Sequence, residues 1–393
     1  MHPDTRAEAP VAARLHVPVV LFMALAAAVG TSTIYPMQPA IADVADSLDT
    51  RIADVGFALA CGPVGYLVGL GLLVPLVDRW APGRVLAVQF GVLACALAAG
   101  AAAGSVAALG VVLGVIGACS AVGAGLSSVA SRLADPGRRA TVLGMVTAGI
   151  SVGILAGRIV GGWLADALGW RAMLLVFAAV CGALAACCVV VLPTVAGAAA
   201  ERGYFSTLRS LPGLFVHHVT LRVAALRGFL WFFAFCAVWA GIAVALSEPP
   251  YSYSAERIGL YALAGLSGIA ATRIAGARTD RDGARRVILV GLVLAGAAAV
   301  VMAFGLANPP VTLVCLAVFD AGLFAAQVAN QSTALAIEPS APARFNSAYM
   351  MVYFVGGSLG TAFGAAAVDR FGWSITTLIA ATAIGLAATS TAR

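Results

Sequence analysis

Long apolar stretches divide this chain and constrain its fold more than any other feature. Spanning a bilayer as a helix takes roughly 20 consecutive apolar residues, whereas barrel strands are ~10-residue alternating segments. Hydrophobic residues make up 62% and charged residues 10% of the chain, against about 45–50% and 25% in soluble domains. The sequence therefore predicts an all-α membrane protein with 12 transmembrane helices. The stretches run near residues 17–38, 53–76, 84–104, 106–131, 141–163, 169–193, 223–246, 257–276, 287–306, 310–336, 345–367 and 371–390.

The two halves of the chain repeat one another. Asp78-Arg79 recurs as Asp280-Arg281, 202 positions on. At an offset of 203, Gly153, Gly157 and Gly161 recur as Gly356, Gly360 and Gly364, Asp166 recurs as Asp369, and Gly169-Trp170 recurs as Gly372-Trp373. Duplicated halves that meet at a midplane binding site are common in transporters. We expect a cytoplasmic tail (1–16), a six-helix bundle (17–193), a cytoplasmic linker (194–222) and a second, pseudo-symmetric six-helix bundle (223–390).

The basic residues predict the orientation of the chain. All 23 are arginines, and placing the N-terminus inside puts 17 of them in inside segments and four in outside loops. This asymmetry predicts a multi-pass protein of the bacterial cytoplasmic (inner) membrane with both termini in the cytoplasm. The net charge of +6 then reflects topology, and no nucleic-acid partner is expected.

Enzyme and pump motifs find little support in the sequence. Residues 149–153 have the spacing of a serine nucleophile elbow, but they lie in an apolar stretch, and none of the four histidines lies at membrane depth. A P-loop requires a lysine, and the chain has none. The sequence leaves open an ATP-driven pump in which a separate subunit is the ATPase. We expect no catalytic residue, cofactor, metal or obligate protein partner, and we expect a small organic substrate, protons and the lipid bilayer as partners. The eight cysteines are interpreted as packing residues.

Several motifs together resemble the major facilitator superfamily of transporters. Residues 276–283, with Arg285 and Arg286, match its loop signature, and the first-half copy around Asp78 is looser. Gly144, Gly153, Gly157, Gly161 and Gly162 have the spacing of its antiporter signature. The segment 320–360 is also similar to bacterial drug- and sugar-efflux members. The resemblance covers essentially the whole chain and implies two halves that rock about a central cavity bordered by helices four, five, ten and eleven.

This chain departs from the antiporter signature at Arg158, where the family has a proline, and its fourth stretch lacks the arginine of many proton-coupled exporters. We hypothesise that Arg158 has taken over part of that role. The duplicated loops predict a conformational latch made by Asp78, Arg79, Arg84, Asp280, Arg281, Arg285 and Arg286. Glycines four residues apart predict close helix packing at Gly144, Gly153, Gly157, Gly161, Gly162, Gly356, Gly360 and Gly364.

Two charges fall at bilayer depth, Arg158 and Asp320. Such charges cost ~2.5–3.5 kcal/mol or more and usually face a cavity and a partner. We expect them to form a central pair that couples transport to protons; a static structural pair is the alternative. Polar or aromatic residues at helical spacing predict cavity positions. The cavity and substrate candidates are Thr147, Ser151, Ser120, Ser127, Phe324, Gln327, Gln331, Tyr35, Gln38, Trp231, Phe235, Trp239, Tyr349 and Tyr353.

The predicted function is secondary active transport, by proton-coupled export of a small organic molecule or drug in an alternating-access cycle. Uptake or facilitated diffusion of a sugar or metabolite is the second reading. A membrane-embedded enzyme or sensor without transport is the alternative from another class. If Asp320 is not the coupling acid, the alternative candidates are Asp43, Asp46 and Glu248.

Overall fold

The computed structural model describes residues 16–135, 137–192, 212–338 and 342–392, and this described part is built from helices joined by short turns, without strands. The helices are α1 (Val17–Ser32), α2 (Ile52–Arg79), α3 (Pro82–Ala101), α4 (Val106–Leu133), α5 (Arg139–Leu168), α6 (Trp170–Val191), α7 (Val219–Ser247), α8 (Ala255–Asp282), α9 (Ala284–Gly305), α10 (Pro309–Leu335) and, on either side of Gly372, α11 (342–371) and α12 (373–392). The twelve-helix prediction is confirmed.

Several helix ends differ from the predicted ones, and two of these differences change how neighbouring segments are connected. Helix α1 ends at Ser32, earlier than predicted, because two prolines follow within residues 33–40, and a short helix, Ile41–Ser47, then precedes α2. Helix α7 begins at Val219, inside the range predicted as linker. Most of the tail and of the linker lie outside the described residues.

Local sequence signals explain several helix ends. Pro82 and Pro309 occupy first-turn positions, where the missing N–H is not needed, and the Asn308 side chain accepts a hydrogen bond from the Val311 N–H at 3.3 Å. Gly169 and Gly372 sit at equivalent positions of the two halves with φ of 83° and 79°. Only glycine adopts this conformation without strain, so both halves make the same turn before their last helix.

The two halves pack their helices in the same order. Helix α1 packs on α5, α2 on α4 and α3 on α6, and the second half repeats this with α7 on α11, α8 on α10 and α9 on the chain after Gly372. The repeated glycines make the closest crossings. A Cβ added to Gly153 would lie 2.2 Å from the Ala28 carbonyl oxygen, and one on Gly360 would lie 2.2 Å from the Phe233 carbonyl oxygen. At these crossings, therefore, backbone meets backbone.

The remaining predicted packing glycines fall into three groups. Gly157, Gly161, Gly356 and Gly364 make equally close approaches within their own half. Gly162 instead meets the Ala255 carbonyl of the other half, where an added Cβ would lie 2.3 Å from its oxygen. Gly144 has open space around it, with nothing within 4 Å of an added Cβ, so it is not a packing residue in this conformation.

The halves meet along two crossings, α5 with α8 and α2 with α11. We call the end of the bundle that carries Val17 the terminal face and the opposite end, which carries Asp166 and Ala255, the distal face. The crossings lie toward the distal face, where an added Cβ on Gly56 of α2 would approach the Ala365 side chain at 2.3 Å. The contact between halves therefore closes the molecule on its distal side.

Candidate functional site

A cavity of about 150 Å³ lies between the two halves. Its lining is contributed by α2, α5 and the chain around the end of α1 in the first half, and by α7, α10 and α11 in the second. The lining residues are Thr31, Ile34, Tyr35, Gln38, Leu59, Pro63, Tyr66, Ile150, Ile154, Arg158, Phe232, Phe235, Cys236, Phe324, Phe354 and Thr361. Of the predicted cavity residues, the structure thus brings Tyr35, Gln38, Phe235 and Phe324 together with Arg158.

Arg158 is the one charged side chain in this lining, and it is only 5% exposed. Its guanidinium carbon lies 4.8 Å from the centre of the Tyr35 ring and 4.5 Å from that of Trp239. Its Nε donates a hydrogen bond to Oε1 of Gln38 at 2.8 Å. Cation–π contacts are strongest in dry surroundings, worth about 2 kcal/mol or more each, so these rings compensate part of the cost of burying the charge.

Asp320 lies on α10 and is 2% exposed. Its Oδ1 accepts a hydrogen bond from the Trp239 indole N–H at 3.2 Å. The ion pairs between described side chains do not include Arg158 with Asp320, so the predicted pair is not direct in this conformation. Trp239 stands between the two charges instead: its ring contacts the guanidinium and its N–H contacts the carboxylate.

Aromatic rings build most of the second-half wall. The Phe232 and Tyr353 rings stack at 3.8 Å with 12° between their planes, and Phe235 meets Phe324 edge-on at 5.6 Å. Tyr66 of the first half approaches Phe354 at 4.9 Å, so the aromatic wall reaches across the interface. The edge-on contact of Phe235 with Phe324 is one of the arrangements that aromatic pairs favour.

Several predicted aromatic residues lie behind this wall and not in it. Trp231, Tyr349 and Tyr353 are buried inside the second half, at 1%, 0% and 8% exposure, and do not line the cavity. The stripe is divided: Phe235 lines the cavity, Trp239 contacts Arg158 of the first half, and Trp231 packs on Tyr353 within its own half. Phe232, the position after Trp231, also faces the cavity.

A polar layer joins α10 to α7 and α11 below the aromatic wall. The Tyr349 hydroxyl donates to the Gln327 side-chain oxygen, and the Asn330 amide donates to the Ala224 carbonyl at 2.9 Å. The Gln331 amide donates to Oδ1 of Asn346 at 2.8 Å. Gln327 and Gln331 were predicted as substrate contacts, but in this conformation their polar groups bind other side chains of the same half.

The predicted serine and threonine stripes do not reach the cavity lining. Ser120 is fully buried, donates to the Ile116 carbonyl at 2.7 Å and shares a 2.6 Å hydrogen bond with Thr33. Ser127 donates to the Gly123 carbonyl, and Ser151 donates to the Thr147 carbonyl. A hydroxyl can form its hydrogen bond on its own helix, so a polar stripe does not by itself require a cavity, and in this conformation these residues lie outside the lining.

The two predicted latch loops differ. In the first, Asp78 accepts from the Ser128 hydroxyl at 3.0 Å and pairs with Arg132 at 3.2 Å, which ties α2 to α4. In the second, Asp280 makes no hydrogen bond or ion pair with a described residue. Arg285 donates through Nε to the Thr391 carbonyl at 3.0 Å. Among the described residues, no carboxylate forms an ion pair with Arg79, Arg84, Arg281 or Arg286, so in this conformation the contact rests on Asp78.

The distal face holds a contact between the halves that sequence analysis noted only as part of the repeat. Oδ1 of Asp166 accepts from the Ala255 N–H at 3.0 Å, and Oδ2 accepts from the Glu256 N–H at 2.9 Å. Asp166 lies in the last turn of α5, and the two N–H groups belong to the first turn of α8. A carboxylate of one half therefore caps a helix of the other. Between described residues of the two halves, these are the side-chain hydrogen bonds that cross the interface.

Further carboxylates surround this contact. Burial raises the pKa of Asp43, and the nearby Asp166 and Asp46 carboxylates raise it further. Burial likewise raises the pKa of Glu248, with a smaller contribution from Asp369. The distal face therefore gathers negative charge from both halves where they close.

The lining residues that sequence reasoning missed include Tyr66, Phe232, Cys236 and Phe354. Tyr66 and Phe354 have no aromatic residue three or four positions away on their helices, so nothing in their spacing sets them apart. Cys236 was interpreted as a packing residue, although it lies one helical turn from Phe232 on the cavity side of α7. That i, i+4 relation was the available signal.

Known proteins support the fold and its class. The family model of the Major Facilitator Superfamily matches residues 20–269. The probable transporter SCO4007 of Streptomyces coelicolor is 32% identical over 394 aligned positions, covering 99% of this chain and 90% of that protein. The uncharacterized transporter YgaY of Escherichia coli O157:H7 is 29% identical over 364, covering 93% and 92%. A bacterial homologue of the human lysosomal transporter Spinster, solved in an inward-facing, unoccupied conformation, has the same fold, with a TM-score of 0.79 at 14% identity over 95% of each chain.

Proposed function

The chain belongs to the Major Facilitator Superfamily of transporters, and on that premise we propose that it exports a small organic molecule in exchange for protons. Transport requires a binding site that both halves share, and the cavity has walls from both. Its volume of about 150 Å³ is below the roughly 300–1,000 Å³ of typical ligand sites. The substrate is therefore small, or the cavity widens as the halves move.

One observation carries the coupling. Trp239 of the second half holds the first half's Arg158 on its ring face and donates its N–H to Asp320. When the halves rock, the guanidinium moves relative to α7, so the position of the indole and its hydrogen bond to the carboxylate change with it. Asp320 has no direct ion pair to break before it exchanges a proton.

The distal contact supports alternating access. Asp166 and the two helix crossings close one side of the cavity. A transporter must exchange this closed arrangement for one that closes the opposite side. Because the arginines favour a cytoplasmic terminal face, this conformation closes the cavity toward the outside of the cell.

The coupling is tested with purified protein in liposomes under an imposed pH gradient. A panel of dyes, antibiotics, sugars and aromatic acids identifies a substrate that accumulates and whose accumulation an uncoupler abolishes. Asp320→Asn should reduce gradient-driven accumulation to the level of empty liposomes while preserving exchange of bound substrate. Asp320→Glu, which keeps the carboxyl group, should retain part of the gradient-driven accumulation. Trp239→Phe should reduce accumulation more than it reduces substrate binding. Accumulation by Asp320→Asn at the parent rate would assign the coupling acid elsewhere.

Topology is tested separately, since we propose that both termini lie in the cytoplasm of an inner-membrane protein. A fluorescent protein fused after Arg393 should fluoresce, because it folds in the cytoplasm. Alkaline phosphatase fused at the same point should be inactive. Active phosphatase at that fusion point would reverse the assigned orientation.

A further inference from the structure

We propose that the substrate is an organic anion with a flat apolar body and that Arg158 binds its acidic group. This inference rests on the proposed function, because it assigns the chemistry of the cavity through which transport would occur. Three independent features of that cavity carry it: the unused donors of Arg158, the charge balance of the lining and the shape of the walls.

The guanidinium of Arg158 has hydrogen-bond donors that no described acceptor uses. Of its nitrogens, only Nε donates a hydrogen bond to a described residue, the 2.8 Å contact with Gln38. The two rings that contact the guanidinium, Tyr35 and Trp239, offer π-faces and leave the terminal nitrogens without hydrogen-bond acceptors. A charged donor that faces a cavity without an acceptor favours the binding of a group that supplies one. A carboxylate or phosphate satisfies two such donors at once, because its geometry matches the guanidinium fork.

The charge balance of the lining also favours an anion. Arg158 is the one charged side chain among the lining residues. The nearest described carboxylate at this depth, Asp320, lies behind Trp239, is 2% exposed and is occupied by the indole N–H. No carboxylate oxygen of a described residue lies within 4.0 Å of the guanidinium. The guanidinium would repel a cationic substrate in this lining and attract an anionic one.

The walls define the rest of the molecule. Phe232, Phe235, Phe324 and Phe354 from the second half, and Tyr66 from the first, surround the space beside Arg158. Rings of this kind stack with or pack edge-on against flat groups. The limited volume of about 150 Å³ fits one or two fused rings better than a long or branched molecule.

The experiment measures equilibrium binding to the purified transporter with three compounds that share a naphthalene body. They are 1-naphthoate, its neutral amide 1-naphthamide, and the cation 1-naphthylmethylammonium. The parent protein should bind the carboxylate roughly tenfold or more tightly than the amide, as expected for a charge-assisted contact, and the ammonium most weakly. The absence of this order, including the absence of binding by all three compounds, overturns the inference.

Variants assign the preference to Arg158. Arg158→Gln should bind carboxylate and amide equally well, and Arg158→Lys should keep a reduced preference, because it keeps the charge but loses the fork. Arg51→Gln is the matched control: it makes the same replacement at an exposed arginine outside the cavity lining, and it should leave the preference for the anion in place. If Arg158→Gln does not fold, the charge order in Arg158→Lys still decides, because an undiminished preference in that variant contradicts the assignment. An anion preference that survives in Arg158→Gln overturns the assignment.

The same liposomes separate this inference from the proposed function. In one outcome, naphthoate binds with the expected charge preference, but neither naphthoate nor any panel compound accumulates under a pH gradient. This outcome supports the anion site and refutes proton-driven export. A neutral or cationic panel compound that accumulates, together with no preference for naphthoate, supports export and refutes the anion site.

Discussion

Replacing Asp166 with asparagine should loosen the distal closure. The carboxylate accepts two backbone N–H groups at 3.0 and 2.9 Å at the start of α8. Asparagine keeps one acceptor oxygen but replaces the other with an NH2 group, so one of the two hydrogen bonds is lost, which costs about 0.5–1.5 kcal/mol. The loss of favourable charge interaction with the helix dipole contributes a further 0.3–1 kcal/mol, roughly, at an exposed site. Because Asp166 is exposed, we expect the substitution to destabilise the distally closed state relative to the open one by ~1–2 kcal/mol. This corresponds to roughly a 5- to 30-fold increase in the ratio of distally open to closed protein.

Cys236 offers a native reporter for this change, because it lines the central cavity. A membrane-impermeant maleimide added on the distal side should modify it faster in Asp166→Asn by about the same factor, and Cys236→Ala identifies the signal. Asp369→Asn is the matched control, since Asp369 is the repeat counterpart of Asp166 but makes no hydrogen bond with a described residue of the other half. Equal rates in parent and Asp166→Asn, or equal acceleration by both substitutions, would refute the capping argument.

Three further predictions concern packing, the latch and pH. Gly360→Ala should destabilise the protein by ~1–3 kcal/mol, because its Cβ would lie 2.2 Å from a carbonyl oxygen, whereas Gly144→Ala should not lower the melting temperature. Asp78→Asn should shift the conformational equilibrium, measured by the same labelling, by ~1 kcal/mol, and Asp280→Asn by less. Because burial and the nearby Asp369 carboxylate raise the pKa of Glu248, the folded state binds this proton more tightly than the unfolded chain does, so Glu248→Gln should raise the melting temperature more at pH 7 than at about pH 4.

The sequence predicted the architecture well because its signals are local or repeated. Apolar length alone predicts each helix, and the constant offset predicts which helices correspond, down to the paired glycine crossings at Gly153 and Gly356. Arg158 and Asp320 were found for a related reason, since charges at bilayer depth are too costly to occur without a role. Each of these inferences needs only the residue and its position in the chain.

The detailed site depends on tertiary packing and was predicted less well. The spacing of Trp239 marks a helix face but does not show that its indole separates two charges on other helices. Ser120 satisfies its hydroxyl on Ile116 and Thr33, so a polar residue in an apolar helix did not indicate a cavity. Periodicity identifies faces, and only the assembled bundle shows what each face meets.

The glycine crossings also bear on how the protein is made. Helix α1 meets α5 through Gly153, and α7 meets α11 through Gly360, so each crossing closes within one half. Domains generally fold as units during synthesis, N-terminal first. The first half can thus complete its tightest contact before the second leaves the ribosome. A bulky residue at Gly153 would accordingly harm membrane assembly at an earlier stage of biogenesis than the same change at Gly360.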